Sequence, residues 1–388
     1  MDCDPGCDDA LALLLALRSG VFEGIDILTV AGNVGVNQTT SNALRILYLG
    51  TMGMKSKPTV KVYKGCSASL DGVRPSAASV HGRDGLGDVP VSVLLGKERI
   101  ESFSNTVAAF LEPKISAVQR YIELFQEISE GNGKNDNSQR DLVCTGPLTN
   151  VASALIQLGP RNHAAFWKIW SSVTIMGGAL GVQGNISYAS EFNAHTDPLA
   201  LRIVLESFRG QNSKSDEIPV PVFVTLDSTE KVRLDWHELE SIKAPRSKRL
   251  PYIKCMLQKY FLFHGQYAAK EDERKNAIMK IDRKNALGSG GLKCIPRFCF
   301  LHDPLAMWVA VKRKRIEKLL TDTTIYVSTD LGAARGKTFL VEDRPFLFAA
   351  DEPDGKRPGY DRTRVRFLDP SKGRIPDGFK KDLMNALS

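Results

Sequence analysis

Asp2, Asp4, Asp8 and Asp9 put four carboxylates into eight positions, on either side of a Pro5-Gly6 turn and just ahead of the apolar run Leu11 to Leu17. Neighbouring carboxylates raise one another's pKa, so such a cluster persists at neutral pH only in water or around a cation. Oxygen ligands suit a hard divalent ion, and calcium accepts the larger, more flexible shell that a loop of carboxylates offers. Pro5-Gly6 permits a sharp turn, after which Asp8 and Asp9 fall at the start of a helix, where the dipole favours negative charge. A capped, Asp-rich turn would account for a lone acidic pair. Four aspartates around Pro-Gly before a buried helix point instead to a metal loop.

A loop of this kind hangs from the end of a buried strand, yet only Met1 precedes Asp2. The first strand is therefore expected to be lacking. Downstream, short apolar or β-branched runs (Gly24 to Ala31, Pro58 to Tyr63, Leu142 to Cys144, Trp170 to Met176, Val220 to Asp227) read as strands. Helical spacing appears in Asn42 to Leu49, Ser104 to Ile128 and Leu250 to about Lys280, and Thr324 to Thr329 with Lys337 to Val341 reads as a C-terminal hairpin. The pattern predicts an α/β fold: an open, mostly parallel, Rossmann-like sheet with helices on both faces. Asn33 then sits at the carboxyl end of a strand, where open α/β sheets bind ligands, although an asparagine there serves equally as a cap or turn residue. The Gly-rich loop Val80 to Gly87 reads as a lid or a plain surface loop. Tyr260, His264 and Tyr267, on neighbouring helical turns, read as core, and so does the run Phe298 to Leu301. Residues 130–140 form a polar connector, and residues 344–388 a charged extension ending in a helix at Asp377 to Leu387.

The length of 388 residues and a hydrophobic fraction of 43% allow one large α/β core or two ordinary domains, and exclude a disordered chain. The net charge of +8 is concentrated in runs such as Lys243 to Arg249 and Lys312 to Arg315, which solvated faces explain without a nucleic-acid partner. Seven widely spaced cysteines with no CxxC pair indicate reduced thiols and a cytoplasmic protein. No signal peptide and no apolar run of ~20 residues suggests a membrane partner.

Asp2-Cys3-Asp4-Pro5-Gly6-Cys7-Asp8-Asp9-Ala10 resembles the DxDPGxDDA signature of the inosine-uridine-preferring nucleoside hydrolases, calcium enzymes that split ribonucleosides into base and ribose. Five further segments follow in the family's order as far as about Asp343: Gly32-Asn33, the flap-like His81-Gly82-Arg83-Asp84-Gly85-Leu86, Thr145 to Asn150 (TGPLTN), Gly184 to Asn193 and His302 to Ala306 (HDPLA). Ser190 stands where the family usually has alanine. The resemblance implies a nucleoside hydrolase domain over residues 1–343, with Ca2+ held by Asp4, Asp9, the Thr145 carbonyl and Asp303. It further implies Asp4 as the base that takes a proton from water, and His302 as the acid facing the leaving base. Asp8, Asn33, Asn185, Glu191 and Asn193 would surround the sugar, with His81 and Met176 completing the substrate pocket. The Gly-rich stretch Lys280 to Lys293 resembles an insertion into the loop over the base, and the expected assembly is a homodimer or homotetramer acting on a small-molecule ribonucleoside. Two alternatives stay open. A haloacid-dehalogenase-type magnesium phosphohydrolase also opens with Asp-x-Asp, though with Thr or Val where this chain has Gly6, and a basic nucleic-acid-binding protein would need none of these carboxylates.

Overall fold

Successive side chains of a strand face opposite ways, so a strand buried on both sides feeds two cores at once. The computed structural model of the protein, which describes residues 1–74, 76–90, 92, 100–129, 139–208, 218–243, 249–268, 278–280, 294–296, 298–340, 364–376 and 378–388, has this arrangement. Its strands are β1 (Asp2–Cys3), β2 (Gly24–Thr29), β3 (Thr59–Lys64), β4 (Leu111–Glu112), β5 (Asp141–Cys144), β6 (Ser172–Met176), β7 (Val222–Val224), β8 (Arg233–Asp235), β9 (Ile278–Lys280), β10 (Cys294–Pro296), β11 (Phe298–Phe300), β12 (Leu320–Val327), β13 (Thr338–Leu340) and β14 (Arg364–Leu368). Along β7, Val222 and Val224 enter one hydrophobic core while Phe223 enters the other; Val143 is divided in the same way from Leu142 and Cys144 on β5. Helices cover both faces.

Among the described residues, ten strands join in the order β13-β12-β14-β7-β6-β5-β1-β2-β3-β4. All neighbours from β14 to β4 are parallel, and the β12–β13 hairpin is antiparallel, with Ile325 opposite Leu340. Two small antiparallel sheets, β8 with β11 and β9 with β10, lie outside this one. The strand expected to be lacking ahead of the acidic loop is present as the two residues of β1, paired on both sides: Asp2 with Leu28 of β2 and with Cys144 of β5. Chain order reverses on either side of β1, which makes the crevice beyond the β1 and β5 carboxyl ends the place where an open α/β sheet takes a ligand.

The helices that shape this crevice are α1 (Cys7–Arg18), α2 (Val36–Thr51), α3 (Thr149–Leu158), α4 (Phe192–Thr196), α5 (Arg249–Ala268), α6 (His302–Val311) and α7 (Gly378–Leu387). Every residue of α1 from Cys7 to Leu17 is buried, as an Ala/Leu helix with no polar stripe must be. It packs against α6, itself buried from His302 to Ala310. The run expected to be helical from Ser104 to Ile128 is interrupted: helices Ile100–Ala108 and Ala117–Ser129 flank β4, whose Leu111 pairs with Val62. Glu112 precedes Pro113, which disfavours helical backbone at that point. The helix expected to reach about Lys280 is described only to Ala268, and Ile278–Lys280 is a strand. The connector residues 130–138 and the stretch 281–293 lie outside the described residues.

Residues 364–388 are not an appendage. β14 enters the main sheet between β7 and β12, and α7 buries Phe379, Leu383 and Leu387 in the core. The Phe379 ring meets Trp308 of α6 at 5.6 Å, and Trp308 Nε1 donates to Asp382 at 3.0 Å. Phe379→Ala should therefore lower the unfolding free energy by about 3–5 kcal/mol in urea titration, the usual cost of emptying a buried aromatic site; a change below about 1 kcal/mol would mean that α7 adds nothing to the core.

Candidate active site

Backbone geometry brings the acidic residues together before any side chain is considered. Asp4 follows β1, Asp8 and Asp9 occupy the first turn of α1, and Asp303 occupies the first turn of α6, so two helix N-termini converge on one group of carboxylates. Oxygens of Asp8, Asp9 and Asp303 lie within 4.8 Å of one another. Asp9 is the best supplied with donors: Gly6 N at 3.0 Å and Asn33 Nδ2 at 3.2 Å reach Oδ2, and Thr145 Oγ1 donates to Oδ1 at 2.7 Å. The Thr145 side chain thus has a partner of its own, apart from the carbonyl expected to face the metal.

Asp4 is different. Its Oδ2 accepts from Asn33 N at 2.7 Å, while Oδ1 is buried with no hydrogen-bond partner. Both oxygens are cradled by glycine: a Cβ on Gly32 would come within 2.1 Å of Oδ2, and one on Gly146 within 2.8 Å of Oδ1. Burial, reinforced by Asp9, holds the Asp4 carboxyl well above the usual carboxylate range. Burial and then Asp8 do the same for Asp303 and push Asp9 up to about 7. An unpartnered buried carboxylate oxygen beside three further carboxylates is what a hard cation satisfies, so the donor set fits a divalent metal ion.

Above this floor lies a cavity of about 270 Å³. Asp4, Asp8, Asn33, His81, Thr145, Met176, Asn185, Glu191, Asn193, His302 and Asp303 all line it, whereas Asp9 sits behind them. One wall is polar. The carboxylate of Glu191 caps α4 and accepts from Gly178 N, Asn193 N and Ala194 N at 2.8 to 3.0 Å. Asn193 Nδ2 donates to the Thr145 carbonyl at 2.7 Å, and Asn185 Oδ1 accepts from Phe192 N at 2.8 Å. Asn33 Nδ2 also donates to the Asp4 carbonyl at 3.0 Å.

The opposite wall is aromatic. His81 stacks on Tyr260 at 5.3 Å, and its Nδ1 accepts from Cys7 N, which leaves the ring proton on Nε2. The Tyr260 hydroxyl lies 3.1 Å from Asp8 Oδ2 and 3.2 Å from the Phe300 carbonyl. His302 Nδ1 is 2.7 Å from Thr229 Oγ1. Burial drops the His302 pKa to about 4, which favours the neutral imidazole.

Tyr260, His264 and Phe300, taken from sequence as core residues, line the cavity. His264 has neither ring nitrogen hydrogen-bonded although it is buried, and it stands 5.9 Å from the His302 ring. The i, i+4 spacing of Tyr260 and His264 carried this signal, but a core stripe has the same spacing. The side chain of Tyr267 lies outside the described residues.

A family model for inosine-uridine preferring nucleoside hydrolases matches residues 1–365. The pyrimidine-specific ribonucleoside hydrolase RihA of Shewanella sp. (strain ANA-3) is 31% identical over 267 residues, covering 68% of this chain and 70% of that one. RihA of Salmonella agona (strain SL483) is 34% identical over 264 residues, covering 68% and 71%. Among solved structures, a purine-preferring ribonucleoside hydrolase from Gardnerella vaginalis superposes with a TM-score of 0.67 at 25% identity, over 100% of this chain and 96% of that one. The chain belongs to the inosine-uridine preferring nucleoside hydrolase family. Its chemistry is the hydrolysis of the N-glycosidic bond of ribonucleosides, so the acidic loop is a glycosidase's and not a phosphohydrolase's.

Folded Asp9 holds its proton to about pH 7 without a cation, whereas the unfolded chain loses it near the ordinary value of 3.8. The folded state then binds more protons between those values, and stability falls as pH rises through them. Protein stripped with a chelator should lose thermal stability steadily from about pH 4 to about pH 7, and an added divalent cation should restore more at pH 7 than at pH 5. A cation effect that does not grow with pH in differential scanning calorimetry would contradict this.

Proposed function

We propose that the cavity holds a ribonucleoside with its sugar against Asp8, Asn33, Asn185, Glu191 and Asn193 and its base against the aromatic wall, over a calcium ion. The observation that carries the reading is Asp4 Oδ1, a buried carboxylate oxygen with no partner at the cavity floor. Asp8, Asp9 and Asp303, whose oxygens lie within 4.8 Å of one another, would hold the ion together with Asp4 and the Thr145 carbonyl. When bound there, calcium supplies the positive charge that lowers the pKa of a nearby water.

Asp4 takes the proton from that water as general base. Its glycine cradle and the Asn33 amide fix the carboxylate, so the base is held in place before substrate arrives. Breaking the glycosidic bond leaves positive charge on the sugar ring. The buried acidic and amide groups around the ribose stabilise that charge more than the neutral ground state. The amide groups donate to and accept from neighbouring hydroxyls, and the carboxylates accept from them.

At the far end His302 meets the leaving base. Its Nδ1 is committed to Thr229, so Nε2 faces the base, and in its neutral form the ring assists by hydrogen bonding. His264, with two unpartnered nitrogens on the same wall, offers the base a further contact.

The matched relatives named as pyrimidine-specific make uridine the first substrate to try. The enzyme works in the cytoplasm as a homodimer or homotetramer without nucleic-acid or membrane partners. Cys3, Cys7, Cys66, Cys144, Cys255 and Cys299 are free thiols, and no described helix is long and apolar enough to cross a membrane.

Asp4→Asn should leave the fold intact and cut ribose release by about a thousandfold, the scale of a lost general base. Substantial ribose release by this variant would remove Asp4 from the role. His302→Ala should slow uridine hydrolysis by about a hundredfold and slow p-nitrophenyl riboside, whose leaving group needs no proton, by less than about tenfold. Equal losses on the two substrates would rule out assistance to the leaving group.

A further inference from the structure

The polar wall is held from outside the cavity. The β12–β13 hairpin lies against α4, and the contact is made by residues that touch no part of the proposed substrate site. Arg335, in the turn of that hairpin, is 5% exposed. Its Nε donates to the His195 carbonyl at 2.9 Å and its Nη2 to the Thr196 carbonyl at 3.1 Å, satisfying two groups at the open end of α4. Its Nη1 donates to the carboxylate of Asp71, which ties the loop after β3 to the same point. The Arg335 carbonyl accepts from Ser190 Oγ and lies 3.1 Å from His195 Nδ1.

The neighbouring residues make the contact close. Gly336 has φ +70°, and a Cβ there would come within 2.4 Å of His195 Cα, so the hairpin backbone rests directly on α4. Thr338 Oγ1 accepts from Ala179 N and reaches the Ala179 carbonyl, both at 2.9 Å. Gly178, one residue earlier, supplies one of the three N–H groups bound to Glu191. The hairpin therefore grips both the helix that Glu191 caps and the strand exit that donates to it. Ser190, the residue that departs from the family's usual alanine, closes the same contact.

We infer that Arg335 is a positioning residue for glycosidic cleavage: it fixes the turn of α4 so that Glu191 and Asn193 meet the sugar hydroxyls. This rests on the sugar-wall reading above. A guanidinium forks to three acceptors in one plane, which a lysine cannot do. Arg335→Lys should therefore loosen the wall while leaving a cation in place.

The test uses the full chain with calcium, assayed on uridine and its 2′-, 3′- and 5′-deoxy counterparts. Arg335→Lys should lower kcat/KM for uridine by about tenfold, mostly through KM, and shrink the uridine-to-deoxynucleoside ratio by about fivefold for at least one hydroxyl. Ser190→Ala, which removes a single hydrogen bond, should move that ratio the same way by about twofold. In combination with Glu191→Gln the loss from Arg335→Lys should be less than additive, because both act through one carboxylate. A residue that only supports stability lowers every substrate in proportion to the folded fraction. Unchanged ratios in an active enzyme would therefore overturn the inference, and if Arg335→Lys does not fold, the Ser190→Ala ratio decides it. A wild-type protein that releases no ribose from any nucleoside overturns the hydrolase reading instead.

Discussion

Asp4, Asp8, Asp9 and Asp303 are buried side by side, and their mutual repulsion is the constraint that the surrounding structure answers. Leaving one buried charge unpaired costs several kcal/mol, a large fraction of what holds a domain together. The chain offsets much of this with its own backbone. Two helices begin at the cluster, and N–H groups of Gly6 and Asn33, the Asn33 amide and the Thr145 hydroxyl each take a carboxylate oxygen. Asp4 Oδ1 is left over, aimed between glycines that leave it room. The protein has thus neutralised its acidic loop partially, and the residue of negative charge is the affinity for a cation.

The sheet explains how groups so distant in sequence meet. β1 supplies the loop, β5 beside it supplies Thr145, and the buried face of α1 against α6 delivers Asp303 to the same end. Because both helices are buried along nearly their whole length, neither can slide or rotate without opening the core, and the carboxylates inherit that rigidity. The same principle divides the cavity. Its polar wall is built from strand exits and a helix cap, its aromatic wall from α5 and the segment ahead of α6.

The acidic floor was legible because spacing there has few interpretations: four aspartates around Pro-Gly make sense chiefly around an ion. The parallel sheet was legible for a similar reason, since strand-length apolar runs separated by helical ones have one common arrangement. Tyr260 and His264 were not, because a helix facing a cavity and a helix facing a core carry the same apolar spacing, and only the fold decides which is present. His302 was located from its motif, but its charge state was not, since that depends on burial by residues far away in sequence. β14 escaped because its five residues follow a long charged and proline-rich stretch, and only the gap between β7 and β12 gives them a partner.

That inserted strand bears on how the molecule comes into being. Of the ten strands, β14 is the last to leave the ribosome, yet it is neither at the edge nor beside its sequence neighbour β13. Among the described residues, the only strand pairing that joins the hairpin to the rest of the sheet runs through β14, so a nascent chain without it carries a gap in the ladder. Such long-range closure is slow and leaves time for wrong pairings. The backing of the cavity's polar half is thus tied into the sheet through the last of its strands to be synthesised.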